Sequence, residues 1–261
     1  MKADYHMHTS FSDDSQFVME DEIKTAIARG LEEICFTEHI DHLEKMHQDA
    51  ELNAYQKEFV RLKEKYKNQI QLKFGAEFGM QRHTIDLFEK DFQSCDFDFV
   101  LLSCHQINDL EFWNQGYQKG KTQKEINEGY YQEILYCVEH YRNYCVLGHL
   151  DAIKRDDPYG EYEDEKVWEL LTKILKKVIA DGKGIEVNTS NFRYGLSDLT
   201  PSRKILKLYY DLGGKILTFG SDSHKEEHVG YKIEEVKEEV KKIGFKEFYT
   251  FEKMKPIAHL L

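Results

Sequence analysis

The sequence predicts an α/β fold: a distorted, TIM-like barrel of seven strands, with a helix after most of them. Three observations lead to it. Seven short apolar runs, rich in β-branched and aromatic residues, alternate with longer amphipathic stretches. No Gly/Ser linker or low-complexity tract divides the 261 residues, so one domain over 1–261 is expected. Most of the apolar runs lead into a histidine or a carboxylate, and the C-terminal ends of strands are where barrel enzymes carry their sites.

The elements follow in order. The first strand is expected over 3–8, and a helix over Glu20–Arg29 stops at Gly30. Strand two, Glu33–Thr37, enters Glu38-His39, and a helix over Leu52–Lys67 follows with apolar residues at helical spacing. Strand three, Gln71–Gly75, enters Ala76-Glu77; strand four, Phe97–Ser103, enters Cys104-His105. The stretch Gln106–Gln123 reads as a long loop or lid before a helix over Lys124–His140. Strand five, Tyr144–Leu147, enters Gly148-His149 ahead of a helix over Asp164–Asp181. Strand six, Gly184–Val187, enters Asn188. The next helix, Pro201–Leu212, is expected to take Thr200 as its N-cap and Pro201 as its first residue. Strand seven, Lys215–Phe219, enters Gly220-Ser221-Asp222, and a helix over Ile233–Ile243 closes the series. The tail Glu247–Phe251 is the one segment able to add an eighth strand.

Composition narrows the function. A formal charge of -12 argues against a general nucleic-acid binder, while leaving room for a small anionic substrate held by metals or a few arginines. The five cysteines, Cys35, Cys95, Cys104, Cys137 and Cys145, are odd in number and lack CxxC spacing, which favours free thiols. Cys35 and Cys104 sit in apolar runs and are expected to be buried, Cys104 facing away from its neighbour His105. The N-terminus has no signal-peptide core and no apolar run is long enough to span a bilayer, so a cytoplasmic protein with no membrane partner is expected. No feature specifies an oligomeric state.

The chemistry lies at the strand ends. His6 and His8 are two apart on a strand, so both rings face the same side. His39, Glu77, His105 and His149 end successive strands, and Asp222 and His224 follow the last, again two apart. Asp13 and Asp14 lie in the first loop. One histidine at a strand end is more often a satisfied polar residue than a ligand. So many imidazoles and carboxylates at one end of a barrel would be poorly compensated without a cation. Mixed nitrogen and oxygen ligands suit zinc, manganese or iron better than calcium.

In order, His6-Met7-His8-Thr9-Ser10 with Phe11-Ser12-Asp13-Asp14, Phe36-Thr37-Glu38-His39, Gly75-Ala76-Glu77-Phe78, Ser103-Cys104-His105, Gly148-His149-Leu150-Asp151 and Gly220-Ser221-Asp222-Ser223-His224 resemble the polymerase-and-histidinol-phosphatase (PHP) superfamily over essentially the whole chain. The chain looks most like that superfamily's bacterial histidinol-phosphatase branch. The resemblance implies a distorted (β/α)7 barrel of the PHP type with three divalent metal ions. One would take His6, His8, Glu77 and Asp222. Glu77 would bridge to a second, held by His105 and His149. The third would take Asp14, His39 and His224. Some relatives carry histidine where Asp14 stands, and Asp13 competes for that place. Ions so held would make hydroxide available near neutrality for attack on phosphorus, with Asp222 and Glu77 at the reacting centre. The implied reaction is hydrolysis of L-histidinol phosphate to L-histidinol and inorganic phosphate, in histidine biosynthesis.

Residues beyond the ligand set are read from position. Arg155 and Arg193 follow strands five and six and are expected to clamp phosphate oxygens; the bland alternative is a surface ion pair. Arg82 and His83, just after Glu77, are expected to face the substrate, whereas Arg203 falls inside a helix and reads as structural. His42 and His228 are candidates to orient the substrate, relay a proton or support a ligand. Phe192, Tyr194 and Trp113 are candidates for the organic end of the pocket, and Asp151 or Glu111 for a substrate amine. His47, His140 and His259 receive no role. Two other functions remain open. A phosphoesterase of the same superfamily acting on a nucleotide or another phosphorylated small molecule would favour a wide basic groove if its substrate were a polymer. A non-catalytic metal-binding protein would bind phosphate compounds without turning them over.

Overall fold

In the computed structural model, which describes residues 1–43 and 50–261, seven parallel strands form one curved sheet. They are β1 (Ala3–Asp4), β2 (Glu33–Ile40), β3 (Gln71–Gly79), β4 (Phe99–Ser103), then β7 (Val146–Leu147), β8 (Gly184–Asn188) and β9 (Leu217–Gly220), adjacent in that order. A two-residue-long hairpin, β5 (Gln106–Ile107) with β6 (Leu110–Glu111), and an antiparallel pair, β10 (Glu247–Glu252) with β11 (Lys255–Leu260), stand apart from the sheet. The helices are α1 (Met19–Ala28), α2 (Leu52–Tyr66), α3 (Ile85–Ser94), α4 (Gln123–His140), α5 (Trp168–Ala180), the short α6 (Asn191–Tyr194), α7 (Arg203–Asp211) and α8 (Ile233–Ile243).

The expected seven-stranded α/β barrel is present. Its strands are near-continuous buried runs, as parallel strands covered by helices require. The barrel closes without a regular ladder between first and last strands. Tyr5 N donates to Phe219 O, Asp222 N to His6 O and His8 N to Ser223 O, with a single parallel bridge between Met7 and Ser223. The first strand is only two residues long in its ladder with β2, shorter than 3–8; beyond it Tyr5, His6 and His8 bond the last strand, while Met7 still accepts from Thr37 N and donates to Thr37 Oγ1 of β2.

As the expectation of seven strands requires, the tail segment adds no eighth strand to the barrel. It pairs with β11, and its turn is anchored through Lys253 N to Asp98 Oδ1 and Met254 N to Asp98 O, beside the start of β4. The N-cap of α7 is Ser202, whose Oγ accepts from Ile205 N, because Thr200 is engaged through its carbonyl with Asn188 N. Helix α3 was not expected: Phe88 is its one buried residue, too narrow a stripe to read. The stretch after His105 begins as the β5–β6 hairpin rather than a plain loop. His47 lies outside the described residues.

Candidate metal centre

Parallel register brings the strand-end residues together. His39 is paired with Glu77, and Gly79 with Ser103. A Cβ at Gly79 would meet Asp41 Oδ1 at 1.7 Å and His105 Nδ1 at 2.7 Å, so only glycine admits the Asp41–His105 pair. The closing strand pair sets His6 and His8 beside Asp222 and His224. Asp222 has φ of 57°, a strained value for a residue with a side chain, and is held by its N to His6 O and by Arg193 at its carbonyl.

Glu77 is the hub, fully buried. Its Oε2 lies 3.1 Å from His6 Nε2, 3.4 Å from His8 Nε2 and 3.2 Å from His39 Nδ1. Its Oε1 lies 3.2 Å from His105 Nε2 and 2.9 Å from His149 Nε2, and accepts from Ser103 Oγ. One carboxylate thus divides five imidazoles into two sets. Asp222 Oδ1 approaches His6 Nε2 and His8 Nε2 at 3.6 and 3.7 Å. Asp14 Oδ2 lies 3.0 Å from His224 Nε2 and 3.5 Å from His39 Nε2. Of the two adjacent carboxylates, Asp14 is the one with these contacts; Asp13 also lines the cavity.

Burial pushes the Glu77 carboxyl up, but His6, His105 and His39 more than reverse this and hold it well below the usual carboxylate range. Burial, with His39 and His224 alongside, pushes the His8 imidazole well down.

The ring nitrogens fit metal ions. Among the described residues, His8 Nε2, His39 Nδ1 and His149 Nδ1 are buried without a hydrogen-bond partner. The rings of His8 and His39 stack at 4.2 Å, and those of His8 and His224 at 4.3 Å. Four groups have ligand atoms within 4.8 Å of one another: His8, His39 and His224; His6, His149 and Asp222; His6, His8 and Glu77; His39, Glu77 and His105. Converging atoms that do not satisfy each other are the pattern expected of a shared cation.

The centre opens into a cavity of about 640 Å³ lined by Arg155, Arg193, Lys225, His228, Asp156, Glu111, Trp113 and Tyr194 among others. Arg155 donates to Asp222 Oδ2, Asn188 Oδ1 and Ser190 Oγ and stacks on Tyr194 at 4.8 Å. Arg193 donates to the carbonyls of Ser221 and Asp222. His228 Nδ1 has no hydrogen-bond partner among the described residues.

Several expected residues are not brought to the cavity. Arg82 turns onto the buried Glu133 and over the Tyr136 ring, adding a charged partner to a carboxylate that already accepts from the Arg82 backbone N. His83 is exposed and bonds Asp109. His42, at φ 51°, lies 2.5 Å from Asp91 and edge-on to Phe88. Asp151 is taken by Lys154 and Ser202 N, and Phe192 by Lys232. Cys104 is buried as expected yet contributes to the cavity wall beside His105. Arg203 pairs with Asp198 and Glu239, in keeping with a structural residue.

Four residues behind the centre were missed. Glu186 Oε1 lies 2.6 Å from His6 Nδ1, and its Oε2 accepts from His149 N. Asp41 Oδ1 lies 2.8 Å from His105 Nδ1. Ser103 holds Glu77, and Glu38 accepts from Thr9 and Ser12. The signal was available for two of them: Asp41 is two residues beyond His39, and Glu186 two before Asn188, on the inward period of their strands.

A family profile of the PHP domain matches residues 4–190. The chain is 34% identical to the histidinol-phosphatase of Lactococcus lactis subsp. lactis (strain IL1403), over 97% of this chain and 96% of that protein. It is 30% identical to a Thermotoga maritima protein named "Probable histidinol-phosphatase", over 93% and 92% of the two chains. The crystal structure of histidinol phosphate phosphatase from L. lactis, complexed with zinc, L-histidinol and phosphate, superposes with a TM-score of 0.91, covering 98% of each chain.

Proposed function

This chain belongs to the PHP domain family, and from that premise we propose that it is a histidinol-phosphatase, hydrolysing L-histidinol phosphate to L-histidinol and inorganic phosphate in histidine biosynthesis. The observation that carries this reading is one cavity joining the imidazole–carboxylate centre to two guanidinium groups, in a chain that matches the zinc-, histidinol- and phosphate-bound relative from end to end.

Three divalent ions would be held here: one by His6, His8, Glu77 and Asp222, one by Glu77, His105 and His149, one by Asp14, His39 and His224. The contacts of both Glu77 oxygens with histidines support its place in the first two sets. The contacts of Asp14 with both histidines support the third set. Such ions supply hydroxide near neutral pH and polarise phosphoryl oxygens.

The chain's own residues do the rest. Arg155 and Arg193 present N–H groups at the cavity wall and hold the phosphate's non-bridging oxygens. Their present bonds, to Asp222, Asn188 and Ser190 and to two carbonyls, keep both forks in place before substrate arrives. His228, at the wall with an Nδ1 that has no hydrogen-bond partner among the described residues, meets the leaving oxygen or a phosphate oxygen. Trp113 and Tyr194 line the organic end.

The test is phosphate release after separate loading with zinc, manganese and iron, from L-histidinol phosphate, an aryl phosphate and a phosphodiester. Marked preference for L-histidinol phosphate is expected. Faster diester cleavage would overturn the substrate assignment, and no turnover with any metal would overturn the enzyme assignment.

A further inference from the structure

His8 stacks against two other imidazoles, those of His39 and His224, and is fully buried. A neutral imidazole can serve a cation through Nε2 only if its hydrogen sits on Nδ1. The hydrogen bonds behind the ring determine where that hydrogen goes.

Ser12 Oγ has three polar neighbours: Glu38 Oε2 at 2.6 Å, the backbone N of His39 at 3.0 Å and His8 Nδ1 at 3.3 Å. A hydroxyl has one hydrogen and two lone pairs. The amide of His39 can only donate, so it occupies one lone pair. The Glu38 carboxylate can only accept, so it takes the hydrogen. The lone pair that remains faces His8 Nδ1, which must therefore carry a hydrogen. That leaves a lone pair on Nε2, the buried atom without a hydrogen-bond partner 3.4 Å from Glu77 Oε2 and 3.7 Å from Asp222 Oδ1.

Glu38 is itself built to hold this direction. Its side chain is fully buried, and Thr9 N and Thr9 Oγ also donate to it, at 3.0 and 2.7 Å. Burial raises its carboxyl above the usual carboxylate value, against the pull of the bonds from Ser12 and Thr9. The Thr9 amide, which can only donate, marks Oε2, the oxygen that meets Ser12, as an accepting one.

We propose that Glu38, acting through Ser12, is a positioning residue that sets the tautomer of His8 and so aims its Nε2 lone pair into the metal centre. This rests on the reading of His8 as a metal ligand.

The relay predicts an unusual pattern among variants. Glu38→Met removes the acceptor, and the freed Ser12 hydrogen turns to His8 Nδ1, placing the ring's own hydrogen on Nε2 against the metal. Ser12→Ala only releases the ring. The double variant therefore binds zinc more tightly than Glu38→Met alone, which loss of packing would not produce. Zinc affinity is read by competition with a chromogenic chelator on the zinc-loaded full chain. Glu38→Met is expected to weaken it about 10–100-fold, the range for outer partners of metal-bound histidines, and Ser12→Ala less. Wild-type affinity in Glu38→Met, or a double variant weaker than Glu38→Met, overturns the relay.

If Glu38→Met does not fold, histidine-selective ¹⁵N NMR of chelator-treated wild type and Ser12→Ala decides. A hydrogen on His8 Nδ1 in wild type, with a mixture in Ser12→Ala, is expected; the same tautomer population in both overturns the relay. His8→Asn separates the two readings. If it retains every zinc equivalent of the wild type, His8 is no ligand and the relay falls with it. If it loses zinc while Glu38→Met does not, the ligand reading stands and the relay alone fails.

Discussion

Replacing Glu186 with glutamine isolates the contribution of one buried carboxylate to the metal centre. Glu186 lies on β8 and is 1% exposed. One oxygen is 2.6 Å from His6 Nδ1; the other accepts from His149 N at 2.7 Å and Asn188 Nδ2 at 3.2 Å. An amide keeps the shape but has only one accepting end. With its oxygen on His6, its NH2 confronts the amide of His149. With its NH2 on His6, the Nδ1 hydrogen loses its acceptor. One charge-assisted bond, about 1.5–3 kcal/mol, is lost in either orientation. The orientation of two ligands depends on these bonds, so Glu186→Gln is expected to weaken zinc binding about 10–100-fold, equivalent to about 1.4–2.7 kcal/mol. Chelator competition measures the affinity, and circular dichroism checks that the fold persists. Affinity within twofold of wild type in a folded variant would refute the argument that Glu186 holds His6 and His149 in place.

Other substitutions test other parts of the reading. Arg155→Met and Arg193→Met should each lower kcat/KM for L-histidinol phosphate by about 10–100-fold and weaken inhibition by phosphate, since each removes a charge-assisted hydrogen-bond donor from the cavity; unchanged phosphate inhibition in steady-state assays would remove them from the phosphate site. Arg82→Met should leave KM and kcat unchanged and lower stability by about 1 kcal/mol, because the half-exposed guanidinium pairs with buried Glu133 while the Arg82 N to Glu133 bond survives; a raised KM would return Arg82 to the substrate. Glu22, buried beside Glu38 and Asp4, has its carboxyl pushed well up, by burial first and then by those charges. The native state thus holds this proton more tightly than the unfolded chain, and its contribution is lost as pH rises from the unfolded carboxyl value toward the higher folded one. Glu22→Gln, which still accepts from Ser223 Oγ, should gain melting temperature relative to wild type as pH rises from about 5 to 9; a difference that does not change with pH would contradict it.

The parts of the fold legible in the sequence are those where one residue type or one period decides the outcome. Parallel strands buried on both faces are apolar whatever their neighbours, so the runs around Phe36, Phe74 and Val100 are readable. His6 and His8 share a face because strands repeat every two residues. Helix α3 and the fate of Arg82 were not legible, for a common reason. Each depends on a partner distant in the chain: Phe88 O accepts from Tyr141 OH, 53 residues away, and Arg82 pairs with Glu133, 51 residues away. The ligand candidates could be read as strand ends, but Glu186 and Asp41 could not be told from ordinary inward carboxylates until His6 and His105 were seen against them.

The closure of the barrel explains why so much chemistry converges at one end. In a regular barrel the first and last strands are joined by a ladder; here Tyr5–His8 and Phe219–Ser223 share only a few bonds, with Asp222 at positive φ between them. Beyond Gly220 the chain leaves extended geometry at Asp222, and there Asp222 approaches His6 and His8 while His224 stacks on His8. Side chains outside the ladder stabilise the broken seam: Asp4 accepts from Ser221 N and Gly230 N, Ser15 donates to His224 O, and Arg29 donates to the carbonyls of Glu227 and Val229. The segment from 221 to 230 is therefore held at both ends and in its middle. The irregularity that leaves the sheet at seven strands is the same one that brings the first strand's histidines to the last strand's aspartate.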